Sequence, residues 1–422
     1  MVLQAMTPVC KREKTSVILF YCSCFFAFLA SSNFFSLQGY LILLSSLLLI
    51  ASECARGLPH NRFDLAILFL FGLSYIACTF ITSRMTGDGG VWSTRFFVYF
   101  LLSPLSVFIT GENSVYSNDR RPLIYLTFFS VGFFTSALLT VQSTFIYQGF
   151  QLGMGNPLIP GFSNPHLSSR TGLSLVLLPA CGLSFFYIQK FLYKKKRFWY
   201  EWTLLFSCIA AVLFSVYCSN KIGNRSFLFS FIIALWVICF LKVYRTKHLA
   251  IKVVFYSGSI LLVIGSLFLL LGFVPEFLLS IPVFQRFANL GSNSQRFKLY
   301  IQFFSTFYKN PLGGTFLYID DRYIHNFILD IYNFAGVLPF LCFSFLLLKS
   351  VIVYLKTRSV FRECIDMNFD VAFHCALCMF SIGLFEPVFQ ANEATFLYFG
   401  FFFGISCATY RKRFIGNTKY KI

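Results

Sequence analysis

Long apolar runs alternate with short polar segments from one end of the chain to the other. The runs predict twelve membrane-spanning helices, at about 17–32, 37–52, 65–82, 96–110, 123–141, 171–189, 202–218, 226–241, 251–273, 334–355, 371–385 and 395–410. Basic residues gather in alternate connections. They are Lys11, Arg12 and Lys14; Arg56 and Arg62; Arg120 and Arg121; Lys190 and Lys194 to Arg197; Lys242, Arg245, Lys247 and Lys252; Lys349, Lys356, Arg358 and Arg362; and those from Arg411 to Lys421. This bias predicts that these connections, and both termini, are cytoplasmic. Two long connections then face outside, Gln142 to Arg170 and 274–333.

The second of these is long enough for structure of its own. Ser292-x-x-Gln295 reads as a capping box, and Phe297, Tyr300, Ile301, Phe304 and Tyr308 follow at helical spacing. The pattern predicts a helix over 294–309, lying on or near the membrane surface, with Arg296 in its first turn. Asn310-Pro311-Leu312-Gly313-Gly314 stops it. From Tyr323 the pattern predicts another helix, on which His325, Asn326, Asp330 and Asn333 share about 140° of one face. Beyond Phe334 this helix is apolar all round and enters the bilayer, with kinks expected at Gly336 and Pro339.

Composition agrees. The 422 residues are 57% hydrophobic and 12% charged, with 59 Phe and a mean hydropathy of +0.71. A soluble domain carries about twice that charge. The expectation is therefore an all-α polytopic membrane protein, one integral domain over 1–422. The net charge of +19 is dispersed between apolar runs, leaving no basic domain for nucleic acid. The 14 cysteines fall almost entirely within the runs and are absent from both long outer loops, which argues against a disulfide framework. Cys375-x-x-Cys378 lies in an apolar helix with no second pair, so it reads as core and not zinc. Lys11 to Lys14 before Val17 to Ala30 resembles the start of a signal peptide. No small-x-small cleavage site follows, and the segment reads as a retained first span. Arg411 to Ile422 reads as a solvated tail.

Basic residues on the outer side run against the bias, so each asks for a reason. Arg170 opens the sixth span. Lys221, Asn224 and Arg225 sit in a short outer turn. Arg286, Arg296 and Arg322 lie in the long loop. The outer acids near the later spans, among them Asp320, Asp321, Asp330, Glu386 and Glu393, are too few to pair them all. Arginine's planar fork suits phosphate oxygens, so Arg225, Arg170 and Arg296 are candidates to hold a diphosphate; snorkelling to headgroups is the plain alternative. His325 is a candidate general base, or else a histidine at a helix end with no chemistry. Asp320-Asp321 could attempt a metal but reads more simply as a solvated loop. No phosphate loop ending in Lys-Ser/Thr and no His-Glu-x-x-His helix is present. Arginines for a diphosphate and a histidine for a proton suit displacement of a lipid diphosphate by a sugar hydroxyl, with Asn326 and Asp330 orienting the acceptor or the imidazole.

Four segments carry a family resemblance. Ile324-His325-Asn326-Phe327-Ile328-Leu329-Asp330, then Phe334-Ala335-Gly336-Val337-Leu338, resembles the pattern His-Asn-x-x-Leu-(acid) followed by Gly-(Ile/Val)-x-Gly of the O-antigen polymerase and O-antigen ligase superfamily of bacterial envelopes. Arg296 through Asn310-Pro311-Leu312-Gly313-Gly314 is similar to its Arg…(Asn/His)-Pro-Leu-x-Gly segment. Ser219-x-x-x-x-Asn224-Arg225-Ser226 resembles its Ser-Arg-(Gly/Ala/Ser) motif, and Phe162-Ser163-Asn164-Pro165-His166 its Asn-Pro-Asn segment. The likeness covers roughly 160 to 345. It departs at Asn224, where the pattern has Ser or Gln, and at Pro339, where it has a second Gly.

The resemblance implies a GT-C-like membrane glycosyltransferase in the bacterial inner membrane. It further implies undecaprenyl-diphosphate-linked oligosaccharide as donor and acceptor, and inverting transfer without metal or other cofactor. The expectation is a polymerase working beside a chain-length regulator and a flippase. The alternatives are a ligase acting on lipid A core and, in another class, a lipid-linked oligosaccharide flippase. A transporter should show internal repeats and ionisable groups near mid-membrane; the sequence shows neither clearly.

Overall fold

The computed structural model describes residues 8–33, 37–57, 62–85, 97–148, 158–159, 166–167, 170–194, 197–244, 248–270, 275–281, 284, 295–314, 324–360, 366–386 and 393–415. Apolar segments in lipid must satisfy their backbone hydrogen bonds internally, which a helix does within a single segment. Helices accordingly occupy the predicted runs: α1 (Pro8–Ser32), α2 (Gln38–Arg56), α3 (Arg62–Met85), α4 (Ser103–Ser117, entered through a π turn at Val98–Leu102), α5 (Arg121–Gln148), α6 (Arg170–Tyr193), α7 (Trp199–Lys221), α8 (Arg225–Val243) and α9 (Leu249–Leu270). After the long connection come α10 (Gln295–Lys309), α11 (Phe327–Ala335), α12 (Val337–Val360), α13 (Met367–Gly383) and α14 (Phe396–Tyr410). Among the described residues, β structure is limited to two two-residue strands, with Leu158 opposite Leu167.

Eight of these helices, α1 to α3, α5 to α8 and α12, are long and apolar enough to cross a membrane. The chain is thus an all-α protein of polytopic membrane character. The core is aromatic and centres on α14, buried from Phe396 to Thr409, and on α13 beside it. Cys375 and Cys378 lie fully buried there, as core.

Small polar residues tighten the N-terminal pair. Ser16 and Ser23 face Ser52 and Ser45, each pair exchanging hydroxyl-to-carbonyl bonds of 2.8–2.9 Å. Serines spaced seven apart on each helix let the two backbones approach closely.

One end of the bundle is tied by buried charge. Arg121 meets Glu53 at 3.0 Å and donates to Ser16 and Ser52, while Arg56 meets Asp119 at 2.8 Å. Asp64 lies between Lys349 at 2.6 Å and Arg411 at 3.2 Å. Arg121 is buried. The expectation of a solvated tail from Arg411 is corrected at its start: Arg411 is anchored on Asp64, and the helix runs on as a π turn to Ile415; residues 416–422 lie outside the described residues. Carboxylates in an apolar bundle require such partners, because an uncompensated charge there costs several kcal/mol. Asn368, at the start of α13, joins this end by donating to the Asp119 carbonyl at 2.6 Å.

Candidate active site

The far end of α13 lies about 25 Å away, by its 17 residues. There three segments converge: the connection after α13, the start of α8, and the residues before α11.

The sequence pattern runs a helix through His325, and the structure corrects this. The helix starts at Phe327, with Asn326 as its N-cap; Asn326 Oδ1 accepts from the N–H groups of Ile328 at 3.2 Å and Leu329 at 3.3 Å. A cap residue takes extended backbone and ends the helix on its N-terminal side. His325 therefore lies outside the helix, in a bend with φ +61°, and does not share a helical face with Asp330. Left-handed backbone at a non-glycine costs on the order of 1 kcal/mol and persists only where its surroundings enforce it. Asp330 enforces it: fully buried, its carboxylate accepts from the Ile324 N–H at 2.7 Å. Asn326 also donates to the Leu384 carbonyl at 3.4 Å. Both candidates thus fix the backbone on either side of His325, and the imidazole finds its partner elsewhere.

That partner is Glu386. Its Oε2 lies 3.5 Å from His325 Nδ1, and its Oε1 accepts from the Ser226 hydroxyl. Glu386 is 3% exposed, whereas the His325 side chain is 27% exposed. The separation is that of an ion pair and not of a hydrogen bond, since Nδ1 makes none among the described residues; a carboxylate closing on Nδ1 would orient the ring with Nε2 toward an incoming group.

Packing sets this approach. Phe327, the first residue of α11, inserts among Phe343, Phe380 and Phe399, with ring centroids 5.7–5.8 Å apart. It fits because position 383 is glycine; a Cβ there would meet the Phe327 ring, 2.8 Å from Cγ. At the other end of α11, Gly336 has φ +88° and breaks the helix from α12, so the expected kink is a complete interruption; Pro339 falls within the first turn of α12. A Cβ on Gly336 would sit 2.9 Å from the Leu312 carbonyl, which accepts from the Val337 N–H at 2.9 Å. Gly313, at φ +65°, presses against Tyr332, whose hydroxyl donates to the Pro311 carbonyl. Burial raises the Tyr332 phenol above its ordinary value, keeping it a donor. The Asn-Pro-Leu-Gly-Gly turn is therefore a clasp on α11.

Arg225 opens α8. Asn224 caps that helix, accepting from the Phe227 N–H at 3.2 Å, and its amide donates to Ser174 on α6. Ser219 accepts the Asn224 N–H at 2.8 Å, so the Ser-to-Asn spacing closes the turn. Ser226 links this corner to Glu386, which brings Arg225 into the same neighbourhood as His325. Arg170 begins α6, one turn before Ser174; Arg296 lies in the first turn of α10. The side chains of both lie outside the described residues, as do Ser292, Asp320, Asp321 and Arg322. His166 pairs with Ile159, and the rest of its motif, 162–165, is likewise outside. Among the described residues no group of three or more His, Cys, Asp or Glu could hold a metal ion. A cavity lined by Val115, Asn118, Asp366, Thr409, Lys412 and Arg413 lies at the opposite, ion-paired end, away from these residues.

In the sequence Glu386 reads only as one of the outer acids, and its contact with His325 is not legible there. The available signal was its position, a lone acid at the end of an apolar helix, where ionisable groups usually have partners or functions. Neither a family model nor a curated relative matches the chain.

Proposed function

We propose that the chain is a membrane glycosyltransferase of the O-antigen polymerase type, using undecaprenyl-diphosphate-linked glycan as donor and a lipid-linked repeat unit as acceptor. The observation that carries the reading is the buried Glu386 carboxylate against His325 Nδ1, held by Ser226 at the end of α8 that bears Arg225. An acceptor hydroxyl at Nε2 would lose its proton to His325 as its oxygen attacks the anomeric carbon of the donor. The bond from that carbon to the diphosphate breaks on the opposite face, inverting the centre. The diphosphate leaves with its charge held by Arg225, aided by Arg170 and Arg296. Asn326 and Asp330 hold the backbone that aims the imidazole. The step needs no metal or other cofactor.

Twelve spans, a GT-C-like arrangement, an inner-membrane location and cytoplasmic termini belong to the same proposal. Its support is that segments of one predicted side meet one another: the basic connections at the ion-paired end, and His325, Ser226 and Glu386 at the other. A flippase would be expected to carry working charges near mid-membrane. The polymerase is preferred to the ligase because the outer loops carry few basic residues beyond those for one or two diphosphates, and the Glu386 to Glu393 turn is acidic. Deleting the gene in its host and resolving the envelope glycans by gel tests this. Core carrying a single repeat unit is expected. Bare core, with long chains still on the lipid carrier, would overturn the polymerase in favour of the ligase.

A further inference from the structure

The helix α10 has two apolar edges, and the fold uses one. Leu299 and Phe303 are buried, and Phe303 and Phe307 pack on Tyr332 of α11 at 6.0 and 5.2 Å. Ile301, Phe304 and Tyr308 form a second stripe, about 140–200° round the helix from Leu299. This stripe is exposed; Tyr308 is 90% accessible and Phe304 59%. Lys298 and Lys309 follow at about 260–280°, beside it, and are exposed too. Leu312, just beyond the helix, is 60% exposed.

A backbone bond ties the end of α10 to the start of α12. The Leu312 carbonyl accepts the N–H of Val337, the first residue of the spanning helix α12. Leu338 and Leu341, in the first turns of α12, are exposed at the same level, as the lipid-facing side of a spanning helix must be. With α12 crossing a bilayer from its first residue, the end of α10 would lie at the boundary of headgroups and acyl chains. An exposed stripe of Ile, Phe and Tyr flanked by lysines matches that boundary: aromatic rings sit at headgroup level, and lysines extend to anionic phosphates.

We infer that the Ile301–Phe304–Tyr308 stripe, continued by Leu312, is seated in the lipid surface, with Lys298 and Lys309 toward the headgroups. Through Tyr332 and the Pro311 turn the same helix clasps α11, so the lipid surface fixes the level of the His325 bend. The inference rests on the spanning helices and not on any catalytic role for His325.

A photocrosslinking residue, p-benzoylphenylalanine, placed singly at positions 304, 308 and 309 of the full chain tests it. Each variant is reconstituted in phosphatidylethanolamine–phosphatidylglycerol vesicles, irradiated and read by intact mass. Phe304 and Tyr308 are aromatic already, so the first two replacements preserve the fold. Phospholipid adducts are expected at 304 and 308, several-fold above the yield at 309. Equal yields at all three positions, or no lipid adduct at 304 and 308, would overturn the inference. Adducts of twice the chain mass would overturn it too, assigning the stripe to contact between copies. The readout requires no transfer activity, so it stands or fails apart from the proposed function.

Discussion

The Nδ1 atom of His325 lies 3.5 Å from a carboxylate oxygen of Glu386, across a corner that joins two segments remote in sequence. The carboxylate is buried and also receives the Ser226 hydroxyl, so its position beside the ring is fixed. If the imidazole is a general base, His325→Ala lowers the transfer rate by about 10² to 10⁴. Glu386→Gln keeps the shape but removes the charge, and a smaller loss is expected. The double variant should be no slower than His325→Ala alone, since the two groups act as a unit. Turnover of lipid-linked substrate by the purified variants measures this; additive losses would separate Glu386 from His325.

Arg225 stands at the first position of α8, beside the residue that bonds Glu386. Arg225→Ala and Arg225→Lys should both fail strongly, because lysine cannot restore a two-pronged contact to a diphosphate. Binding of undecaprenyl diphosphate to the purified chain should fall in these variants and hold in His325→Ala. Wild-type affinity in Arg225→Ala would remove the arginine from the donor site.

Gly383 leaves room for the Phe327 ring. Gly383→Ala should cost about 1–3 kcal/mol of stability, as overpacked cores do. It should also slow transfer, since Phe327 sits two residues from His325. Adding Phe327→Leu should recover part of the melting temperature. A melt unchanged by Gly383→Ala alone would show that the ring can move freely.

At the other end, Arg121 compensates the buried Glu53. Arg121→Met should destabilise by about 1–3 kcal/mol, because the buried Glu53 loses its nearest cation and keeps only Arg56 at 3.3 Å and the Asn113 amide at 2.9 Å. Glu53→Leu combined with Arg121→Met should recover much of that loss. Turnover per folded molecule should stay near wild type in the double variant, because α13 separates this pair from His325. Thermal unfolding in detergent, together with the transfer assay, distinguishes the two effects.

The spans, their polar interruptions and the ends of α10 were legible in the chain because they depend on local properties. Run length decides whether a segment can cross a membrane, and Pro311 with Gly313 and Gly314 stops a helix wherever it occurs. The predicted 294–309 helix is found at Gln295–Lys309. His325 was legible as chemistry but not as geometry. Periodicity counts a cap residue as a further helical position, and only the bonds from Ile328 and Leu329 to Asn326 show where the helix begins. Glu386 carries no local mark that pairs it with His325. Their contact follows from Phe327 entering the space beside Gly383, which brings α11 against the end of α13. The burial of Arg121 has the same origin: the sequence supplies a cation in a polar connection, and the packing of α1, α2 and α5 removes it from water. Hydrophobic length is a property of each segment, whereas partner choice depends on which segments pack together, and this the tertiary structure decided.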